Sequence, residues 1–404
     1  MKRTNLSLLI VISLFLVFSV SVMAVTFGDV NEDGVIDSRD YVLLTRYIMD
    51  IPVDINVAAA RLNGDTYVSS LDATLLGRYL LDMIDSFPAE DNAVSADGFY
   101  VEDSKIYDAN GNEFIMRGLS FPHTWFDWHQ DVPEAALEAI AGLGVNSVRV
   151  VLSNGAHAGA WGRDSAESVA NIIEVSKANN MIPILEIHDC TGYGEDNDAA
   201  HISTAVDYWI DIADVLKGQE EYVIINIANE PFGNNVAADD YVNDHIEAIQ
   251  RLRENGFKHA LMIDAANWGQ DWERIMLNRA PEIFAADPDE NTIFSIHMYQ
   301  VYSSPWDVDN YLDEFAQHNL PLVIGEFGHA HYGENVAHER IMERAQQDGL
   351  GYIGWSWYGN NSPVEDLDMS YDWLGENLTP WGEEFFFGPN GIQETSEICT
   401  IFTQ

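Results

Sequence analysis

Eight short apolar stretches, spaced by roughly 30 to 40 residues as a βα unit requires, constrain this chain more than anything else in it. They cover residues 114–119, 145–152, 181–188, 223–230, 260–264, 292–299, 321–326 and 351–357. Runs this short and this apolar read as strands buried on both faces. Helical patterns fill the gaps, for example at 165–179, 204–217, 241–255 and 336–348. Strand and helix alternating in this way predict an α/β protein of the (β/α)8 TIM-barrel class. A doubly wound open sheet is the alternative, but no glycine-rich phosphate loop follows any of the strands. With 404 residues, 47% of them hydrophobic, the chain can bury one large core and a small one besides.

In a barrel the functional groups gather at the C-terminal ends of the strands. Here those ends hold residues 120–125 with His123 and Trp125, then Arg149, His188 with Asp189, Asn229 with Glu230, Asn267 with Trp268, His297 and Tyr299, Glu326, and Trp355 with Trp357. The ends are polar, titratable and aromatic; the strand interiors are aliphatic. The fourth and seventh strands both finish in glutamate, and Pro231 cannot continue the ladder after Glu230. A carboxylate at the tip of a buried strand is costly without a partner or a task. Strands four and seven stand on opposite sides of an eight-strand barrel, so the two glutamates face each other. Paired carboxylates of this kind cleave glycosidic bonds, one protonating the leaving oxygen while the other attacks or activates water. Aromatic walls, for which Trp125 and Trp268 are the candidates, stack on the apolar faces of sugar rings. Glu186 lies two residues inside the third strand's end and reads as a satisfied buried acid. His329, His331 and His338 read as surface residues rather than a zinc site. The acidic runs 195–198 and 287–290 read as solvated loops.

The N-terminus carries a different message. Lys2 and Arg3 precede an apolar run over 6–20, and Val22-Met23-Ala24 offers small residues for cleavage, so residues 1–24 are expected to be a signal peptide and the protein secreted and extracellular. Asp29, Asn31, Asp33, Asp37 and Asp40 then fall at positions 1, 3, 5, 9 and 12 of a calcium loop, with Gly34 at the sharp turn and the Val35 carbonyl at position 7. A helical pattern follows from about residue 40. The unit repeats 32 residues later, with Ser38 matched by Ser70, Asp40 by Asp72 and Arg46-Tyr47 by Arg78-Tyr79. In the second loop Arg61 replaces the first ligand and Thr66 the turn glycine, so calcium is expected to bind there weakly or not at all. A polar linker spans 86–97. An opening hairpin over 101–113 is expected to turn at Asn110-Gly111. The 66 acidic residues against 19 basic ones give a net charge of −47, which argues against nucleic acid or an anionic membrane as partner. Cys190 and Cys399 provide no disulfide framework and are expected to be buried thiols.

Two tandem loop-helix units of this kind resemble a type I dockerin, here spanning residues 25–85. That resemblance implies a cohesin partner on a scaffold protein, Ca2+ in the loops and a cellulosome-associated location. From residue 98 to residue 404, Asn229-Glu230-Pro231, Glu326, Arg149, His188, His297, Tyr299 and the stretch 355–357 resemble glycoside hydrolase family 5 of the retaining clan A. The similarity is strongest to bacterial β-mannanases, through segments 185–192, 223–230, 264–270, 294–299, 323–329 and 393–396. It implies Glu230 as general acid/base and Glu326 as nucleophile, with no cofactor for catalysis. It also implies that Arg149 and Tyr299 orient Glu326, that Asn229 binds the sugar 2-hydroxyl, and that His188 and His297 position hydroxyls. Trp355 or Trp357 would floor the site, and His123, Trp125 and Trp268 would add substrate contacts. The implied substrate is a β-mannan-type polysaccharide; an endo-β-1,4-glucanase or a non-cleaving polysaccharide-binding barrel are the alternatives.

Overall fold

The computed structural model describes residues 26–403 except 32, 50, 54, 58, 64–67, 82, 85, 86, 88–97, 127–131, 160 and 161, and leaves the side chains of 125, 126 and 132–134 undescribed. The signal peptide, nearly all of the linker, Thr66 and the Trp125 side chain therefore lie outside the described residues. The chain divides near residue 94 into two compact units.

In the first unit, helices Ser38–Ile48 and Ser70–Leu80 each open with a capping box, Asp37 with Asp40 and Ser69 with Asp72. The chain before the first helix wraps onto its own carboxylates. Asp29 accepts from the backbone amides of Asp33 and Gly34, at 3.1 and 2.8 Å, and Asp40 accepts from those of Asn31 and Asp37, at 3.3 and 2.9 Å. Gly34 takes φ +82°, a conformation that a side chain would strain. Asp72 repeats the role of Asp40, accepting from the amides of Leu62, Asn63 and Ser69. The repeat seen in the sequence is thus a repeat of hydrogen bonding. Leu44, Leu62, Leu75, Leu76 and Phe87 fill a small core between the two helices.

The second unit opens with strands β1 (Tyr100–Glu102) and β2 (Lys105–Tyr107), paired antiparallel. Their turn is Asp103-Ser104, with Asp103 at φ +53°. Asn110-Gly111 instead tips a second turn, across which Tyr107 bridges Glu113. Seven parallel strands follow: β3 (Arg117–Phe121), β4 (Ser147–Leu152), β5 (Ile182–Ile187), β6 (Ile224–Asn226), β7 (Leu261–Asp264), β8 (Thr292–Met298) and β9 (Leu322–Phe327). After a small hairpin, β10 (Ala330–His331) with β11 (Glu334–Asn335), the eighth, β12 (Gly351–Gly354), closes the barrel against β9 and β3. The α/β barrel expected from sequence is present with all eight of its strands. The fourth is shorter than its apolar run suggests: the regular strand ends at Asn226, although the amides of Ile227 and Asn229 still bond the Met262 and Ile187 carbonyls of the neighbouring strands.

Strand alternation sorts the side chains. Leu185, Ile187, Ile225 and Ile263 pack outward against the helices. Ile182, Ile184, Ile224, Met262, Ile293, Val323 and Ile353 form a separate cluster with Phe99, Ile106 and Phe114 from the opening segment, which plugs the lower end. Two residues further along the same faces the lumen turns polar: Ile184 gives way to Glu186, Ile224 to Asn226, Met262 to Asp264. Gly325 keeps this layer closed, since a Cβ there would lie 2.0 Å from the Ser295 hydroxyl. Cys190 and Cys399 are both free and buried. Among the described residues no helix is long and apolar enough to cross a membrane.

Candidate active site

The polar layer of the lumen is organised by Arg149 on β4, which is fully buried. Its guanidinium donates to Glu326 Oε1 at 2.6 Å, to Asn229 Oδ1 at 2.7 Å, to Asn226 Oδ1 at 2.9 Å and to Asp264 Oδ2 at 3.3 Å. Glu186 stands 3.6 Å away. A cation with no water around it is tolerable only when its donors are matched. Here every partner comes from a strand end or from the segment just past one.

Glu326 receives a second donor, the Tyr299 hydroxyl, on its other oxygen at 2.8 Å. Glu230 bonds His297 Nδ1 at 2.7 Å, and the same nitrogen lies 3.5 Å from Glu326. One carboxylate oxygen of Glu230, one of Glu326 and a His297 ring nitrogen all sit within 4.8 Å of one another. His297 also approaches Asp264, at 3.4 Å through Nε2. Burial pulls the His297 imidazole toward the neutral form, yet the Glu326 and Asp264 carboxylates outweigh it and carry its pKa up to about 10. Burial likewise pushes Asp264 upward, but His297 and Arg149 hold it well below the usual carboxylate range. At Glu326 burial is the largest influence and raises the carboxyl, with His297 and Arg149 pulling the other way. An imidazolium and a guanidinium thus stand among four acids, Glu186, Glu230, Asp264 and Glu326.

The backbone at Glu230 is unusual. It takes φ +38°, a left-handed conformation that a residue with a side chain adopts only where its surroundings impose it. Its amide donates to Asp264 at 3.1 Å, and its carbonyl accepts from Gly192 at 2.9 Å. These two bonds fix the bend that turns the carboxylate into the cleft.

Above the charged layer a cleft of about 520 Å³ opens. His188, Asn229, Glu230, Trp268, Tyr299, Glu326 and Trp355 all line it. His188 is oriented by Glu186 at 2.9 Å and stacks on Trp355 with ring centroids 5.7 Å apart. The Trp355 indole donates to Asn360 at 2.9 Å. Trp268 is held by its indole bond to Glu195 at 2.7 Å, and its ring covers Gly192 so closely that a Cβ there would lie 2.1 Å from it.

Two expected contacts are elsewhere. Trp357 is wholly buried in the outer core, its indole donating to the Trp373 carbonyl, so Trp355 alone of the pair faces the cleft. Because β12 ends at Gly354, strand alternation no longer holds beyond it, and Trp357 does not share the face of Trp355. His123 sits on the short 3-10 helix His123–Phe126 and pairs with Asp164 at 3.1 Å, outside the cleft. Both acidic runs also do more than meet solvent. Glu195 buttresses Trp268, and buried Asp287 takes two 2.9 Å bonds from Arg253. His331 stacks on Tyr299 at 4.4 Å and bonds Gln300, which places it on the cleft wall. Sequence reasoning overlooked Asp264 and Asn226. Their signal was a polar side chain at the last position of an otherwise aliphatic lumen face.

The model of the family described as Cellulase (glycosyl hydrolase family 5) matches residues 107–361, and that of the dockerin type I domain matches residues 27–81. A mannan endo-1,4-beta-mannosidase of Cellvibrio japonicus is 52% identical over 311 residues, which cover 77% of this chain and 71% of the relative. One of Salipaludibacillus agaradhaerens is 41% identical over 307 residues, 76% of this chain and 96% of the relative. Among solved structures, the mannotriose complex of the Thermomonospora fusca beta-mannanase superposes with a TM-score of 0.72 at 49% identity, over 76% of this chain and 99% of that one.

Proposed function

Since the chain belongs to glycosyl hydrolase family 5 and carries a type I dockerin domain, we propose that it is an endo-β-1,4-mannanase that cleaves internal bonds of mannan, galactomannan or glucomannan with retention of configuration. The observation carrying the mechanism is the spacing of the two glutamates: a retaining pair needs its carboxylates about 5 Å apart, and oxygens of Glu230 and Glu326 lie within 4.8 Å. Glu326 attacks the anomeric carbon while Glu230 protonates the departing oxygen. Water then enters, Glu230 takes its proton, and the bond from sugar to Glu326 breaks. Arg149 and Tyr299 grip separate oxygens of Glu326 and aim it, and charged His297 offsets the crowding of acids. Asn229, held by Arg149, reaches the sugar 2-hydroxyl, where hydrogen bonds strengthen as the transition state forms. Trp355 floors the site beside His188. The substrate class rests on the activities named for the relatives.

The domain plan is a signal peptide over 1–24, a dockerin over 25–85, a linker over 86–97 and the catalytic barrel from 98 to 404. The product would be secreted and held on a scaffold by a cohesin. The first loop suits Ca2+ by its donor chemistry: Asp29, Asn31, Asp33, Asp37, Asp40 and the Val35 carbonyl are all oxygen ligands. Arg61 makes the second loop the weaker one, so a calcium titration of the full chain should give one tight site rather than two equal ones.

The deciding assay compares galactomannan, glucomannan, carboxymethylcellulose and xylan, using wild type and Glu326→Ala. Mannan cleavage should dominate, and the variant should lose at least ~10³-fold in rate. Faster cleavage of carboxymethylcellulose would overturn the substrate, and activity surviving in the variant would overturn the mechanism.

A further inference from the structure

A second depression, of about 100 Å³, adjoins the cleft and shares two of its lining residues, Trp272 and Val301. Trp306, 69% exposed on the first turn of helix Pro305–Phe315, lines it but not the cleft. Ser304 caps that helix and Pro305 occupies its first position, so the backbone under the indole is fixed. Asn310 lies one turn further on and lines the same depression. Trp306 is not an isolated exposed ring, since it shares this depression with Trp272, itself 54% exposed, and aromatic faces of this kind stack on sugar rings.

The cleft end of this depression is anchored near Glu230. Trp272 donates its indole hydrogen to Asn234 at 2.8 Å, and the Trp268 amide donates to the Phe232 carbonyl at 3.0 Å. Both tryptophans are thereby tied to the segment that follows Glu230, the acid that serves the leaving group. Trp355 is tied to His188 and Asn360 instead. Trp268 and Trp272 line the cleft and Trp272 and Trp306 line the depression beside it, so the three tryptophans form a path out of the cleft that starts beside the segment carrying Glu230.

We propose that Trp306 and Asn310 form a distal sugar subsite for the leaving portion of a long β-1,4-linked chain, with Trp272 as the bridge from the cleft. This rests on the reading of the cleft as a mannanase site. The occupant is the same polymer that is cut, because the two depressions share a wall. Long substrates reach Trp306 and short ones do not.

The test measures kcat/KM for Trp306→Ala and wild type on mannotetraose, mannohexaose and soluble galactomannan, with Tyr371→Ala, an exposed aromatic outside both depressions, as the control. The expected result is about a 3- to 10-fold loss on the polymer, carried by KM, with mannotetraose unchanged. An equal effect at every chain length, or none at any, overturns the subsite. If wild type cleaves galactomannan while the Trp306→Ala ratio stays flat, only the subsite falls. If wild type cleaves no mannan, the mannanase reading falls and takes the subsite with it.

Discussion

Arg149 sets the charge balance of the whole site. Among the described residues it is the one cation touching Glu186, Asp264 and Glu326 together. Removing it leaves His297 as the remaining cation beside Asp264 and Glu326, and breaking such a network from one side costs about 3–5 kcal/mol. Arg149→Met should therefore lower the barrel's stability by that order in urea unfolding, and abolish activity even where the protein stays folded. His297 and Tyr299 were legible in the sequence because they break an aliphatic strand at its C-terminal end, and Arg149 because it is a lone charge within the aliphatic run of β4. The choice between Trp355 and Trp357 was not legible, because it depends on where β12 stops and a run of apolar and aromatic residues does not mark that point. Glu230 was legible as a functional acid but not as the bearer of a left-handed backbone, since that bend comes from Asp264 and Gly192, distant in sequence.

Among the elements, the loop after β7 does most to shape the cleft. Asn267, Trp268, Asp271 and Arg274 all take left-handed φ angles within eight residues, and the loop presents Trp268 and Trp272. Asp271 anchors it from below. Its carboxylate accepts from the amides of Met276 and Leu277, each at 2.9 Å, and from the Tyr311 hydroxyl at 2.8 Å. Burial pushes its pKa up to about 6, with those donors pulling the other way. The folded state thus binds this proton more tightly than the unfolded chain, whose value is near 3.8. The stabilisation is complete below 3.8 and is lost as pH rises through 6. Asp271→Asn, which does not titrate, should lose about 1–2 kcal/mol near pH 4. Its deficit should shrink between pH 4 and 7, and urea midpoints across that range would register it. A looser loop should also raise KM more than it lowers kcat. The sequence predicted the strand before this loop but not the loop's shape, because no glycine or proline announces most of its left-handed positions.

Over the whole barrel, two buried histidines outside the cleft lining weaken the fold in acid. His245 and His259 are buried, and burial lowers both to about 4. Their unfolded counterparts titrate near 6.5, so the unfolded chain takes up protons first as pH falls. Stability is whole above 6.5 and drains as pH drops through 4, by about 3 kcal/mol for each fully titrated group. That outweighs the opposite trend from Asp271, and the barrel's unfolding midpoint in urea should fall between pH 7 and pH 4. NMR should show neither imidazole titrating above pH 5. The (β/α)8 plan itself was open to reading in advance, because eight periodic runs repeat one constraint eight times and an error in one boundary leaves the count intact.

The reach of Arg149 has a consequence for how the chain comes together. Its carboxylate partner on β9 is 177 residues downstream, so a growing chain carries this arginine through most of barrel synthesis before Glu326 exists. Any fragment ending before β9 must either leave the guanidinium in water or bury it incompletely matched. Such a fragment still sets Asp264 and Glu186 beside Arg149 but lacks its shortest ion pair, the one that aims the attacking carboxylate, so the last partner to be made is the one the chemistry needs most.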